Sequence, residues 1–163
     1  MKKRVGKKFP KINVEVLLVS FLAVSLVAFI GGLITSASVD SLWYAIVKSS
    51  ITPPNWVFGI VWSVLFFLIA LSLYLSWISE KKNKIKIILV FGVNLVLNIL
   101  WSLFFFGMQN PPLAFFELIA LWLSILLMIF VVHRINITAS YLLLPFIFWV
   151  SFAGALNFLS AFT

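Results

Sequence analysis

The chain has no cysteine, which rules out disulfide frameworks, thiolate nucleophiles and cysteine-based metal sites. Its single histidine, His133, cannot build a metal site alone. Charge is scarce as well. Only 10% of the 163 residues are Asp, Glu, Lys or Arg, and four of these are acidic. That is too little polar side-chain surface to coat a water-soluble globule of this size.

What is present is apolar. Hydrophobic residues make up 64% of the chain and the mean hydropathy is +1.20, so lipid is the solvent the sequence calls for. A hydrocarbon core of about 30 Å needs about 20 apolar residues per helix. Five runs are long enough, near 14–36, 56–78, 85–106, 113–132 and 139–162. In lipid each backbone polar group must be satisfied within the segment, and these runs lack the period-2 alternation of a barrel strand. The expected fold is an all-α integral membrane protein, a single five-helix bundle over 14–163 behind a basic tail at 1–13. The basic start and the cluster Ser36-Ala37-Ser38 also suit a signal peptide, but Val14 to Ile34 has the length of a span, not of an h-region.

The formal net charge of +8 does not point to nucleic acid, because the basic residues sit in short segments between spans instead of interleaving with aromatics along one face. They set orientation instead. Lys2, Lys3, Arg4, Lys7, Lys8, Lys11, Lys81, Lys82, Lys84, Lys86 and Arg134 fall on one side, and Lys48 alone on the other. The positive-inside rule then puts the N-terminus in the cytoplasm and the C-terminus outside, with the cytoplasmic membrane of a prokaryote as the expected bilayer. Residues 37–55 form the one long loop, on the outer side, and long loops in compact proteins are often functional.

The unusual residues converge on that side. Trp43 and Tyr44 lie in the loop, and Pro53, Pro54, Trp56, Phe58 and Trp62 mark the start of the second span. Asn98, Trp101 and Phe105 occupy the outer half of the third, Glu117 the outer end of the fourth, and Trp149 and Asn157 the fifth. Helical spacing gives Asn94, Asn98, Trp101 and Phe105 one face, as it does Phe58, Trp62 and Phe66, and Pro145, Trp149 and Ala153. Turned inward, these faces would line one cavity, with Trp offering flat apolar area and one N–H donor. Against this, Trp is enriched at membrane interfaces, the reading preferred for Trp56, Trp77 and Trp122. Asn98 and Asn157 also suit hydrogen bonds between helices. Glu117, well inside a span, is either functional or a residue that reaches water or caps the amides after Pro111-Pro112. Pro145 is expected to kink the fifth helix. No nucleophile and base pair is visible, so ordinary hydrolytic or proton-transfer catalysis has no apparatus.

Four motifs, in order, carry a resemblance: Trp43-Tyr44; Pro53-Pro54-Asn55-Trp56-Val57-Phe58-Gly59-Ile60-Val61-Trp62; Asn98-x-x-Trp101-x-x-x-Phe105-Phe106-Gly107; and Pro145-Phe146-x-x-Trp149-x-x-x-Ala153-x-x-Leu156-Asn157. Over about 14–162 the chain resembles the translocator protein family, also called tryptophan-rich sensory proteins or peripheral-type benzodiazepine receptors. The resemblance implies a non-enzymatic receptor or transporter whose cavity opens under the long loop, which acts as its lid. It also implies a porphyrin or haem as ligand, with no cofactor required, and a possible homodimer. By position the ligand-binding residues would be Trp43, Tyr44, Trp62, Asn98, Trp101, Glu117, Trp149 and Ala153. Alternatives implied by the same resemblance are light- and oxygen-dependent porphyrin degradation, with Trp62 and Trp149 as oxidisable partners, and tetrapyrrole sensing through the basic tail. Departures from the family pattern are Ile60 for Pro, Phe146 for Tyr, and a first loop one residue shorter, with Ser49 or Ser50 where Lys-Pro is usual. No basic residue follows Arg134, so the C-terminal cholesterol pattern of a hydrophobe, Tyr and then Lys or Arg has no counterpart, and cholesterol is not the expected ligand. The pairs available for close contact between copies, Gly31, Gly32 and Gly92, form no G-x-x-x-G pattern.

Overall fold

The computed structural model describes residues 12–163, so most of the basic tail at 1–13 lies outside the described residues. The elements are α1 (Val14–Ser36), α2 (Leu42–Val47), α3 (Asn55–Ser79), α4 (Lys84–Ser102) running into a π-helical turn (Leu103–Gly107), α5 (Pro111–His133), α6 (Ile137–Tyr141) and α7 (Leu144–Phe162). Five helical stretches are long and apolar enough to span a bilayer: Val14–Ser36, Asn55–Ser79, Lys84–Gly107, Pro111–His133 and Ile137–Phe162. Each lies within two residues of the limits read from apolar run length. The chain is a multi-pass, all-α integral membrane protein.

Local chemistry sets the ends. Asn13 caps α1, its Oδ1 accepting from Val16 N–H at 3.2 Å, and Ser41 caps α2 through Tyr44 N–H at 3.2 Å. Asn110 caps α5 ahead of Pro111-Pro112, whose fixed φ and missing N–H suit a first turn. The tight passage from the π turn to α5 needs one left-handed residue, Gln109 at φ 50°. Pro145 does not kink a continuous fifth helix. The span is already broken at Leu142 and Leu143, and Pro145 falls in the first turn of α7, where its missing N–H needs no helical partner.

The bundle is inside out relative to a soluble protein. Long stripes face outward, among them Leu18, Leu22 and Leu26 of α1, Leu123, Leu127 and Phe130 of α5, and Phe148 of α7 at 71% exposure. In water such a surface would aggregate; against acyl chains it is matched. The well-packed core, with Ile87, Phe91, Ile125, Met128, Val132, Leu143 and Phe146 fully buried, occupies the lysine-rich end and the middle. There α5 packs against α4 and α7, and α6 reaches α3. Near the α2 end the backbones of α3 and α7 hardly approach each other, and aromatic side chains bridge the gap.

Candidate functional site

That gap is part of a cavity of about 310 Å³ at the α2 end, walled by α1, α3, α4 and α7 and covered by the α2 loop. Phe58, Trp62 and Phe66 descend one face of α3 into it, as the period of four indicated. On α4, Asn98 and Trp101 line it, and the π turn then adds one residue to the register, so that Phe105 and Phe106 both point inward. Such turns are often found at functional sites.

Trp101 is the most firmly oriented of the aromatic walls. Its ring stacks on Phe105 at 5.5 Å and 26°, and its Nε1–H donates to Asn157 Oδ1 at 3.1 Å. Asn157 Nδ2 in turn donates to the Pro111 carbonyl at 2.9 Å, tying α4, α5 and α7 together. Asn157 is therefore helix-to-helix glue, as expected of an intramembrane amide. Asn98 is not. It is 6% exposed, and its Nδ2 is buried in the cavity wall with no hydrogen-bond partner.

The eight residues singled out by sequence are not all brought together. Tyr44, Trp62, Asn98, Trp101 and Ala153 line the cavity. Trp43 does not: it packs edge-on over Phe105 at 5.8 Å, supporting the wall from behind. Trp149 also lies outside, facing a shallow apolar groove with Ile60, Val64, Pro145 and Phe152. Phe58, which does line the cavity, packs edge-on against its indole at 5.5 Å. The face shared by Pro145, Trp149 and Ala153 therefore reaches the cavity only at Ala153, from which Leu156, Asn157 and Ser160 continue the stripe.

Glu117 sits on α5, which contributes nothing to the wall. It is 9% exposed and neither carboxyl oxygen has a hydrogen-bond partner, so it neither reaches out of the bundle nor caps the amides that follow Pro111-Pro112. Of the three tryptophans assigned to interfaces, Trp56 and Trp77 lie near the two ends of α3, whereas Trp122 sits in the middle of α5. Trp56 is exposed, Trp122 Nε1 donates to Ser151 Oγ at 2.8 Å, and the Lys84 ammonium lies over the Trp77 ring at 4.7 Å.

Sequence reasoning missed α1. Ala28, Gly31, Gly32 and Thr35 follow i, i+3, i+4, i+7 and form the cavity's fourth wall. A Cβ at Gly31 would meet only Ser102 Oγ, at 3.4 Å, and one at Gly32 or Gly59 would meet nothing within 4 Å. The glycines leave open space in this wall. A small-residue stripe next to the long loop was the available signal. Also missed was the loop's own contribution, in which Lys48, Thr52 and Asn55 join Tyr44. Burial raises the Tyr44 phenol above its usual 10.0, so it stays a protonated donor across the physiological range.

The arrangement can hold a flat apolar molecule between indole and phenyl faces, with a few polar groups placed around it, which is the usual make-up of a small-molecule site. Among the described residues no group of three His, Asp or Glu side chains converges.

The sequence profile described as the TspO/MBR family matches residues 19–161. The tryptophan-rich protein TspO of Archaeoglobus fulgidus is 42% identical over 147 residues, covering 90% of this chain and 95% of that protein. The tryptophan-rich protein TspO of Chlorobaculum tepidum is 37% identical, covering 81% and 85%. Protein CrtK of Rhodobacter capsulatus is 32% identical, covering 71% of this chain and 74% of that protein.

Proposed function

The chain belongs to the TspO/MBR family of membrane proteins, and from that premise we propose that it is a receptor or transporter for a porphyrin-type ligand held in the cavity under the α2 loop. The observation that carries this reading is the presence of Trp62, from α3, and Trp101, from α4, in the wall of one cavity, with Phe58, Phe66 and Phe105 also lining it. Two indoles and three phenyl rings suit the face of a flat macrocycle, and Trp101 is already locked in plane by Asn157. At about 310 Å³ the cavity is near the lower end of the range for ligand sites, about 300–1,000 Å³. A tetrapyrrole needs the loop to lift, which fits a lid anchored by a few bonds such as Asn55 Nδ2 to Asp40 Oδ1 at 3.1 Å.

Titration of the purified protein with protoporphyrin IX, followed by tryptophan quenching, tests the proposal. Saturable quenching that Trp62→Ala and Trp101→Ala together abolish is the expected result; unchanged affinity in that double variant rejects the cavity. The degradative alternative is weakened by geometry, since Trp149, one of its two oxidisable partners, lies outside the cavity wall. Repeated turnover to a defined product, under light and oxygen, would restore it.

A further inference from the structure

Among the described residues Lys48 is the only Lys or Arg at the α2 end, and it lines the cavity. As the cap residue that ends α2, it donates its backbone N–H to the Tyr44 carbonyl at 2.9 Å. Its ammonium lies 5.8 Å from the centre of the Tyr44 ring, itself a cavity wall. The loop's one carboxylate, Asp40, is engaged elsewhere, accepting from Asn55 Nδ2 at 3.1 Å. No Asp or Glu lines the cavity among the described residues. An ammonium held over an aromatic wall, facing a cavity without a counter-charge, is half of an ion pair.

The second polar feature lies deeper. Asn98 is nine residues before Gly107, ~13 Å of helix rise from the end of the π turn. Its Nδ2 is a buried donor in the wall with no acceptor. Trp101 Nε1, the other donor at that level, is already used by Asn157. The cavity therefore offers a cation at its mouth, a neutral donor in its depth, and apolar rings between them.

We propose that the site selects a ligand with a carboxylate at one edge and seats it in one direction, with the carboxylate on Lys48 at the mouth and the apolar body towards Asn98. This rests on reading the cavity as the ligand site, and it adds polarity and chemical class to that reading. A neutral flat ligand gains nothing from Lys48, whereas a carboxylate gains an ion pair at the edge of a low-dielectric site.

The test compares protoporphyrin IX, which carries two carboxylates, with its dimethyl ester, which carries none, using tryptophan quenching in nanodiscs of phosphatidylcholine. The intact protein is expected to prefer the acid by about tenfold, the size of one such charge-assisted contact. Lys48→Gln should bring the two affinities within about twofold of each other. Lys86→Gln, at the far end of the bundle, should keep the preference. Asn98→Leu, which leaves Lys48 in place, should keep the preference for the acid.

Equal affinity of the intact protein for acid and ester overturns the proposal while leaving the cavity reading intact. Loss of the preference in Asn98→Leu, with its survival in Lys48→Gln, overturns the direction of seating. Removal of the preference by phosphatidylglycerol in the disc assigns Lys48 to a lipid phosphate and overturns it as well. Quenching by neither compound rejects the cavity reading, and this inference with it.

Discussion

The two ends of the bundle treat polar groups unequally. At the lysine-rich end and in the middle, most polar side chains make a bond to another element, although Asn94 Oδ1 is left without a partner. Ser72 Oγ donates to the Ala139 carbonyl at 2.8 Å, Asn136 Nδ2 to Ser79 Oγ at 2.8 Å, and Asn94 Nδ2 to Ser124 Oγ at 2.8 Å. Towards the α2 end, Asn98 Nδ2, both oxygens of Glu117 and Trp149 Nε1 are buried without partners. In lipid, helices associate through packing and interhelical hydrogen bonds, because acyl chains are as apolar as leucine. Both ends use polar groups to hold helices together, Asn157 doing so at the α2 end, but most of the buried groups left without partners lie towards the α2 end.

The largest effect that should separate the ends is on stability. Phe91 is 2% exposed within the packed core, and Phe91→Ala is expected to cost about 3 kcal/mol through the cavity it leaves. Phe66 already borders empty space, so Phe66→Ala should cost well under half as much. Reversible unfolding in mixed detergent micelles measures both. Equal losses would mean that the α2 end is as tightly packed as the other.

Ligand binding should show the reverse order. Trp62→Ala and Trp101→Ala are each expected to weaken protoporphyrin IX about tenfold, corresponding to about 1.4 kcal/mol. Trp149→Ala, acting only through Phe58, should weaken it less than threefold. A Trp149 effect as large as that of Trp62 would place the ligand across the α3–α7 seam.

The third effect is smaller and lies where the two ends meet. Asn157→Ala removes the acceptor of Trp101 and the donor to Pro111. Intramembrane hydrogen bonds contribute about 0.6 kcal/mol on average and up to about 1.7. A stability loss of about 1 kcal/mol is expected, with a few-fold loss of ligand affinity as Trp101 loses its fixed plane. An unchanged affinity would show that stacking on Phe105 alone orients the indole.

These residues also show what a sequence can and cannot convey. Span length and hydropathy are local properties, so the five helices were legible, and so were the face of α3 and that of α4 from Asn98 onward, whereas Asn94, one turn earlier, turns to Ser124 of α5. Trp149 was misplaced because periodicity assigns residues to a common face but not the direction that face points. The break at Leu142 and Leu143 sets α7 on its own course. The wall of α1 was overlooked because a search for bulky aromatics does not register a cavity made by missing side chains, as at Gly31 and Gly32. Glu117 was grouped with the site by its depth and by the family resemblance, although α5 packs behind α4 and α7 and contributes no residue to the cavity wall. Lys48 stood out as a lone charge, but only a folded loop could bring it to the cavity mouth.

The smallest effect concerns pH and should be confined to the lysine-rich end. Glu80 follows α3, and its Oε1 accepts from the backbone N–H groups of Lys82 at 2.7 Å and Asn83 at 3.1 Å. These two bonds, with the charge of Lys86 adding to them, hold its carboxyl below the usual 4.5. A carboxyl whose value is lowered by folding supports the folded turn above 4.5 and loses that support as pH falls through the lowered value. Amide protection at Lys82 and Asn83 should therefore be flat from about pH 7 to 5 and decline below about 4.5, while Glu80→Gln shows weak protection throughout. Protoporphyrin-independent probes of the α2 loop, such as the Asn55 side-chain amide signals, should not follow the Glu80 transition. If they do, and Glu80→Gln abolishes the response, the two ends are coupled and the division of labour between them fails.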